Sequence, residues 1–469
     1  MKTTQKMVSL CSFFLSSSQL IVFLALVIGA GTALVAGPGT ASADETFKQT
    51  ATIQVPGTKG LTSFDIGFVD PQLGLYFLAD RTNKTIDQVK TSDNSITQLA
   101  KDELVGPNGV ITANDHTEVW EGDSVDPVTK TSSVRVISLE TGHVTHTIDT
   151  GGQGRSDELC EDPQLHVVLA ANDEPDDLFL TFISTKSYKI LGTLTLKGTD
   201  PNAQNIKATN GIEQCQWSPR TRKFYLAIPE VNGSGSNTEP GAVLEINPAS
   251  MKVEKVFPID FGFLPASGAT KATADCLGPQ GLAIGPQREI LLGCSNSGAG
   301  TVIINELDGS LIRNLPGLNG NDEVWYNPGD NHYFLAGGNH NLNAPTPGPI
   351  LGVADQSGDP DVEDASPKTV SGSHSVAADP VHNQVYVPVN GSRTGASALC
   401  GALNGCIAVF TAANDDPGVC TGSPAHGHGK NGDAVFLRTV CPNNNGHPGN
   451  NGHSNNNGHS NNPHNNPMD

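Results

Sequence analysis

A repeated sequence unit carries a polar side chain at the same position in each of its seven copies, and four of these side chains are carboxylates. The set is Asp65, Asn108, Asp157, Glu213, Gln280, Asp322 and His374. Six of them stand six residues before a proline, and Asn108 or its neighbour is the match in the copy that lacks this proline. If every copy folds alike, the seven side chains converge on one place. Carboxylate and amide oxygens gathered in this way are ligands that a hard cation such as Ca²⁺ prefers.

Three kinds of site fit this ring. In the first, water and turn amides satisfy the carboxylates. In the second, Ca²⁺ or another divalent cation removes the repulsion that would otherwise raise their pKa values. Its ligands would be Asp65, Asn108, Asp157, Glu213 and Asp322. In the third, a bound metal polarises a carbonyl and lowers the pKa of a bound water, with Glu213 and His374 as the catalytic residues. The sequence leaves all three open and calls for no other cofactor.

The ring lies in a repeated phrase that predicts a β-hairpin. In Phe64–Asp80, two apolar runs, Ile66–Val69 and Leu75–Ala79, are joined by the turn DPQLG. Pro and Gly in so short a connection between β-rich runs indicate a tight turn. The other six copies begin at residues 107, 156, 212, 279, 322 and 373.

Each hairpin is followed by a third β-like run and often by a fourth, as at 133–139 and 143–148. Four antiparallel strands repeated radially predict an all-β fold, a seven-bladed β-propeller. The last copy has no clear fourth strand after 406–412, whereas 47–55 is a strand with no hairpin of its own. Because an unpaired sheet edge is a liability, we expect residues 47–55 to close the ring as the outer strand of the seventh blade.

Hairpin geometry determines which strand ends and which connections lie on each of the two faces of such a propeller. The starts of first strands, the ends of second strands and the connections after them share one face, called here the loop face; the opposite face is the turn face. The ring and the longest connections, residues 231–241, 339–349 and 391–406, fall on the loop face. Arg155 falls there too, where it could meet an anionic substrate. Asp and Asn at the ends of second strands are expected mainly to cap turns.

Two phrases carry a family resemblance. LYFLADRTNKTIDQV at 75–89 resembles an NHL-type repeat, and QVYVPVNGS at 384–392 resembles a YVTN-type repeat; the likeness covers roughly residues 47–412. Among proteins of broadly this architecture, gluconolactonase-like hydrolases hold a divalent metal at the channel mouth with Glu, Asn and Asp, and streptogramin lyase uses a His. The resemblance implies that four residues could play those parts here. They are Glu213, Asn108, Asp157 and His374.

Two functions are compatible with these features. The first is binding of a small-molecule ligand, a surface polymer or a protein partner through the loop face. The alternative is a divalent-metal-dependent hydrolase or lyase acting on a small ester or lactone. The chain has no G-x-S-x-G, H-E-x-x-H, P-loop or dinucleotide motif, so none of those catalytic classes is supported. Whether the protein is an enzyme stays open.

Composition and the N-terminal residues predict an exported chain. A formal net charge of −21 over 469 residues disfavours a nucleic-acid partner. Lys2, Lys6, the apolar stretch Leu20–Ala36 and the A-x-A site Ala41–Ala43 predict a signal peptide at 1–43 and a secreted or periplasmic protein. The alternative is an uncleaved membrane anchor. No later segment of the sequence is apolar enough to span a bilayer, and we expect a monomer.

Eight cysteines remain once the leader with Cys11 is removed, and an even number in an exported chain favours disulfides. Their positions on the predicted blades favour one connectivity. It is Cys160–Cys215, Cys276–Cys294, Cys400–Cys406 and Cys420–Cys441.

The sequence therefore predicts four segments: the signal peptide, a propeller at 44–412, a Cys-containing extension at 413–441 and a tail at 442–469. The extension holds one strand-like run, AVFLRTV at 434–440. The tail is rich in Asn, Gly and His and has nothing to bury, which predicts disorder. Its histidines could bind transition metals loosely or serve only as part of a hydrophilic tail.

Overall fold

The seven predicted repeat units are seven β-sheets. The computed structural model describes residues 47–173, 178–261, 276–295, 300–315, 318–341, 348–355 and 369–413. Within these ranges, 27 strands form seven antiparallel sheets, while helical structure is limited to Pro201–Ala203 and Ala396–Cys400. The predicted all-β, seven-bladed β-propeller is confirmed.

The chain fills the blades in sequence order, except that β1 (Phe47–Ile53) belongs to blade 7. Blade 1 contains β2 (Gly67–Asp70), β3 (Leu75–Asp80), β4 (Thr85–Lys90) and β5 (Ile96–Leu99). Blade 2 contains β6 (Pro107–Ala113), β7 (Glu118–Asp123), β8 (Ser133–Ser138) and β9 (Val144–Asp149). Blade 3 contains β10 (Arg155–Asp162), β11 (Val167–Asp173), β12 (Phe179–Ser184) and β13 (Ile190–Thr195).

The second half of the ring follows the same pattern. Blade 4 contains β14 (Cys215–Ser218), β15 (Lys223–Ile228), β16 (Gly241–Asn247) and β17 (Lys252–Ile259). Blade 5 contains β18 (Pro279–Ile284), β19 (Glu289–Cys294), β20 (Thr301–Asn305) and β21 (Leu311–Leu315). Blade 6 contains β22 (Leu318–Asn327), β23 (His332–Asn341) and β24 (Ile350–Asp355). Blade 7 contains β25 (Ala377–Asp379), β26 (Gln384–Val389) and β27 (Cys406–Ala412), with β1 outside them.

In blades 1 and 3 the residue before the turn proline is an aspartate that caps the hairpin turn. In blade 1, Asp70 Oδ1 accepts hydrogen bonds from the backbone N–H groups of Gln72 and Leu73, at 2.9 and 3.1 Å. Asp162 in blade 3 does the same for the two corresponding residues, at 2.9 and 3.1 Å. These Asx turns fix the register of the inner hairpins of blades 1 and 3.

Blade 7 is closed by the N-terminal strand, as predicted. Strand β1 pairs antiparallel with β27, from Phe47 opposite Ala412 to Ile53 opposite Ile407. Phe47 also reaches the neighbouring blade, where its ring meets that of Phe334 edge-on at 5.3 Å. The first and last described strands are therefore held in one sheet, which removes two open edges.

Three of the four predicted disulfides are present. Cys160–Cys215 joins blades 3 and 4, Cys276–Cys294 lies within blade 5, and Cys400–Cys406 closes the connection before β27. Disulfides are typical of proteins in an oxidising, extracytoplasmic environment. Cys420–Cys441, the leader and the tail lie outside the described residues. In the described part of the chain, no helix is both long and apolar enough to cross a membrane.

Candidate binding site at the channel mouth

All seven predicted ring residues lie at or just before the first strands of their blades. Asp65, Glu213 and His374 precede β2, β14 and β25, and the remaining four belong to inner strands. Contacts join several of them around the ring. His374 Nδ1 lies 3.6 Å from Asp65 Oδ1 and 3.5 Å from Asp322 Oδ2, and Gln280 donates to Glu213 Oε1 at 3.2 Å. The repeat register therefore predicted their convergence, although it did not predict which of them pair.

The sequence analysis missed Arg81, which occupies the part of the mouth formed by blades 1 and 2. Its guanidinium pairs with the Asp65 carboxylate and donates from Nε to Asn108 Oδ1 at 3.1 Å. Asn108 is buried and in turn donates to the backbone carbonyl of Ser156 at 2.9 Å. Arg81 directly follows β3, where the hairpin geometry places it on the loop face; that position was the available signal.

Arg155 lies at the mouth as predicted, but carboxylates of this protein already engage it. Its Nε is 2.6 Å from Asp157 Oδ2, and its Nη2 donates to Asp173 Oδ2 at 2.8 Å. Burial alone would lower the pKa of Arg155, but the charges of Asp157 and Asp173 outweigh it and raise that pKa. Asp157 and Asp173 would therefore compete with an anionic substrate for the Arg155 guanidinium.

The opposite part of the mouth, formed by blades 4 to 7, is built differently. Within the described ranges, no Lys or Arg forms an ion pair with Glu213 or Asp322. Burial raises the pKa of Glu213 well above its ordinary value, and the charges of Asp322 and Asp173 add to the rise. Burial also raises the pKa of Asp322, although His374 opposes the shift. The His374 ring stacks on Phe64, with ring centroids 5.1 Å apart.

A second acidic layer lies directly behind the ring. Glu158 and Glu323 follow Asp157 and Asp322 in the sequence and are both buried. Burial raises the pKa of each well above its ordinary value, and Glu158 and Glu323 also share a side-chain hydrogen bond. Two carboxyl groups can share such a bond only when one of them carries a proton.

The same layer contains Gln214, which connects three blades of the ring. Its carbonyl oxygen accepts from the Leu282 N–H at 2.6 Å, and its amide donates to the Val324 carbonyl at 3.1 Å. A single side chain thereby fixes the relative positions of inner strands in blades 4, 5 and 6.

One long connection on the loop face, residues 231–240, is ordered by a buried carboxylate. Glu230 accepts hydrogen bonds from the backbone N–H groups of Gly235 and Thr238, both at 2.5 Å, and from the Thr209 hydroxyl at 2.7 Å. These bonds hold the pKa of Glu230 below its ordinary value although burial opposes them. The loop at 231–240 is therefore built around a charged centre.

The residues at the ends of second strands do cap turns, as expected. Asp123 accepts from the Gly106 N–H at 2.7 Å, Asp80 from the Asn83 N–H at 3.0 Å, and Asn390 from the Ser392 N–H at 2.9 Å. Asp173 is different, because it binds the Arg155 guanidinium at the mouth and so joins the acidic cluster.

Three of the five predicted metal ligands contact an arginine side chain in the described part of the chain, and two do not. Asp65 and Asn108 contact Arg81, and Asp157 contacts Arg155. Neither Glu213 nor Asp322 forms an ion pair with an arginine within the described ranges. Among the described residues, no group of three or more His, Cys, Asp and Glu side chains is arranged to hold a metal ion. The metal roles of these five residues, and the catalytic roles of Glu213 and His374, stay predictions.

Comparison with known proteins identifies the fold. No protein-family model matches the chain, and no curated protein matches its sequence. A chain of the mitotic checkpoint complex is 12% identical, with a TM-score of 0.52 over 82% of this chain and 98% of its own. The WD40 domain of Neurospora crassa Pan2 is 10% identical, with a TM-score of 0.52 over 80% and 97%. The RRP9 WD40 repeats are 10% identical, with a TM-score of 0.51 over 78% and 97%.

These structures share one architecture with the chain. It is the β-propeller. At 10–12% identity the likeness concerns the fold alone. The resemblance to YVTN, NHL and gluconolactonase-like proteins is not confirmed by a family match.

Proposed function

We propose that the protein is an exported β-propeller scaffold that binds a partner through its loop face, and that the channel mouth receives a positively charged group of that partner. One observation carries the proposal. Five carboxylates gather at the mouth, whereas the described residues supply two guanidinium groups, those of Arg81 and Arg155. The five are Asp65, Asp157, Asp173, Glu213 and Asp322.

The excess of negative charge is concentrated on one side of the mouth. Arg81 and Arg155 neutralise the side formed by blades 1 to 3. On the other side, burial raises the pKa of Glu213 and of Asp322, and the charge of Asp322 raises the pKa of Glu213 further. On the side of blades 1 to 3 the neutralisation is incomplete, because Oδ1 of the buried Asp157 has no hydrogen-bond partner among the described residues. A primary amine or guanidinium entering the mouth would pair with these carboxylates as Arg81 pairs with Asp65 and Arg155 with Asp173.

The scaffold around the mouth supports the same proposal. β-Propellers commonly serve as scaffolds for protein interactions. The Glu230 hydrogen bonds and the Cys400–Cys406 disulfide hold two loop-face connections in place before any partner arrives, which reduces the entropy lost on binding. The net charge of −21 attracts a basic partner over a longer range. The predicted leader and the disulfides support an extracytoplasmic location.

The proposal is tested with a short peptide that contains one lysine and with the same peptide carrying norleucine instead. Binding is measured by isothermal titration at low ionic strength. The mouth variant is Glu213→Gln with Asp322→Asn. The control, Asp93→Asn with Glu140→Gln, removes two exposed carboxylates from the turn face. We expect the lysine peptide to bind the wild type and the control, and to bind the mouth variant at least about tenfold more weakly. Equal binding to both variants would refute a cation site at the mouth.

A divalent cation is the second candidate for the same position, because His374, Asp65 and Asp322 already approach one another. This is the predicted metal-dependent hydrolase or lyase, with Glu213 as a ligand. Elemental analysis of the purified protein separates the two candidates. If the protein contains a stoichiometric metal that is lost in Glu213→Gln, and if it hydrolyses a small lactone, then the mouth binds Ca²⁺ or another divalent ion. In that case the organic-cation proposal is rejected.

A further inference from the structure

The interface between blades 7 and 1 is the place where the ring closes. Strand β1 belongs to blade 7 and β2 to blade 1, and the connection 54–66 joins them. The interface is largely apolar, because Ile53, Val55, Leu61 and Ile407 belong to one buried cluster with side chains of blade 1. Charged groups buried at this interface therefore need a partner of their own.

Two buried carboxyl groups of blade 1, those of Asp80 and Asp87, lie at this interface. Alternate side chains of a strand point to the same side of its sheet. Asp80 therefore shares its side of β3 with Tyr76 and Leu78, and Asp87 shares its side of β4 with Val89. Those three neighbours belong to the apolar cluster between blades 7 and 1. Both carboxyl groups are fully buried, and no described Lys, Arg or His forms an ion pair with either.

The hydrogen bonds give the two carboxyl groups different roles. Asp80 accepts at both oxygens, from the Asn83 N–H at 3.0 Å and from the Asn83 side-chain amide at 2.6 Å. Asp87 Oδ1 accepts from Gln98 at 2.9 Å, whereas Oδ2 receives no hydrogen bond from a described donor. Asp80 and Asp87 share a side-chain hydrogen bond, which requires a proton on one of them. The proton therefore belongs on Asp87, which donates it to Asp80.

The pair is connected to the contact that closes the ring. Asn83, which holds Asp80, also donates from its side-chain amide to the Gly60 carbonyl at 2.9 Å. The next residue, Leu61, donates its N–H to the carbonyl of Asn404 in blade 7, at 2.8 Å. The hydrogen bonds that position Asp80 thus continue into the contact between the connection 54–66 and blade 7.

Blade 2 shows how the same position is built with a permanent cation. Asp123 ends β7 as Asp80 ends β3, and Arg135 occupies the register position of Asp87. Arg135 Nε lies 3.2 Å from Asp123 Oδ2, so the guanidinium neutralises that carboxylate. In blade 1 a second carboxyl group replaces the cation, and a proton takes over its role.

We propose that Asp80 and Asp87 form a proton-dependent latch that holds blade 1 against blade 7. While Asp87 carries its proton, the latch is closed. Loss of the proton leaves two carboxylates side by side in an apolar interface, and the ring loosens there first. The phenols of Tyr76 and Tyr386, which stack on each other at this interface, are both buried, and Lys59 in the connection 54–66 is exposed to solvent.

The pH dependence of the latch has a definite sign. Burial raises the pKa of Asp87 well above its ordinary value of 3.8, and the charge of Asp80 adds to the rise. Burial also raises the pKa of Tyr76, so this phenol stays neutral over the same range. The stability that the Asp87 proton contributes is complete below the unfolded pKa and is lost as pH rises through the folded one.

Hydrogen exchange of the full chain at pH about 5 and about 8, corrected for the intrinsic pH dependence of exchange, tests the proposal. Peptides covering 47–53 and 75–80 report on the two sides of the latch, and 223–228 in blade 4 is the internal reference. Asp87→Asn keeps a donor for Asp80 without a titrating proton, and Asp87→Leu removes the polar group. The control, Asp102→Asn, removes an exposed carboxylate from the connection that follows β5.

We expect the protection of 47–53 and 75–80 to fall at least about tenfold from the lower to the higher pH in the wild type and in Asp102→Asn, and that of 223–228 to fall less. Both Asp87 variants abolish this fall, and the result is taken from each variant in which 223–228 keeps its protection. A fall that persists in such a variant overturns the proposal. Equal falls in all three peptides of the wild type, or no fall in any, overturn it as well.

Discussion

Arg155 offers a test in which stability and binding change in opposite directions. Its guanidinium holds Asp157 and Asp173 on one side of the mouth. In Arg155→Gln both carboxylates lose their counter-charge, which destabilises the propeller. The same change removes an internal cation that repels an incoming lysine, and therefore strengthens binding of the lysine peptide.

Both magnitudes can be estimated from the structure. Breaking a buried ion pair costs about 3–5 kcal/mol, and because the Arg155 side chain is 35% exposed we expect about 2 kcal/mol of lost stability. For a bound amine placed about 8 Å from the Arg155 guanidinium, Coulomb's law gives a repulsion of about 2 kcal/mol at an effective dielectric constant of about 20. Solvent and salt leave roughly half of this, which corresponds to about fivefold tighter binding.

Arg220→Gln is the matched control. Arg220 pairs with the buried Glu306 at 2.8 Å and is 37% exposed, but this pair lies on the turn face. Urea unfolding measures stability, and titration with the lysine peptide measures affinity. We expect both variants to lose a similar amount of stability, and only Arg155→Gln to bind the peptide more tightly. Weaker or unchanged binding in Arg155→Gln would refute the idea that the mouth is short of positive charge.

Three further predictions concern the fold. Phe47→Ala removes the ring that β1 packs against blade 6 and should cost about 3 kcal/mol in urea unfolding, whereas the exposed Lys48→Ala should cost under about 0.5 kcal/mol; equal costs would contradict ring closure by β1. Because burial raises the pKa of Glu158 and Glu323, the stability they contribute is complete below their unfolded pKa and is lost as pH rises through the folded one. As the pH rises above the ordinary carboxyl pKa of 4.5, Glu158→Gln with Glu323→Gln should therefore lose less stability than the wild type, and an identical pH profile would exclude the shared proton. Glu230→Gln should cost about 1–3 kcal/mol and raise proteolysis of 231–240, and an intact loop would show that its order has another origin.

The repeat made the architecture predictable. The spacing between Asp65 and the turn proline recurs in five later copies and set the register of six of the seven inner hairpins, so it predicted which polar side chains reach the channel mouth. The topology of a propeller was sufficient to predict where the lone strand at 47–55 pairs and which of the eight cysteines form disulfides. Strand β1 and three disulfides follow that prediction.

The pairing inside the site could not be predicted in the same way. Arg81 belongs to the turn after a second strand, and only the closed ring brings its guanidinium to Asp65 and Asn108. Likewise, Glu158 and Glu323 are far apart in sequence and contact each other only because their blades face one channel. Local patterns fix the position of a side chain on its own strand, whereas these partners depend on contacts between distant blades.

The most direct test of the acidic mouth compares the two peptides on the wild-type protein alone. The lysine and norleucine peptides have nearly the same shape and differ in one charge. We expect the lysine peptide to bind at least about tenfold more tightly at low ionic strength and to lose most of this advantage as salt is added. Equal affinity of the two peptides, or an advantage that salt does not reduce, would contradict the account.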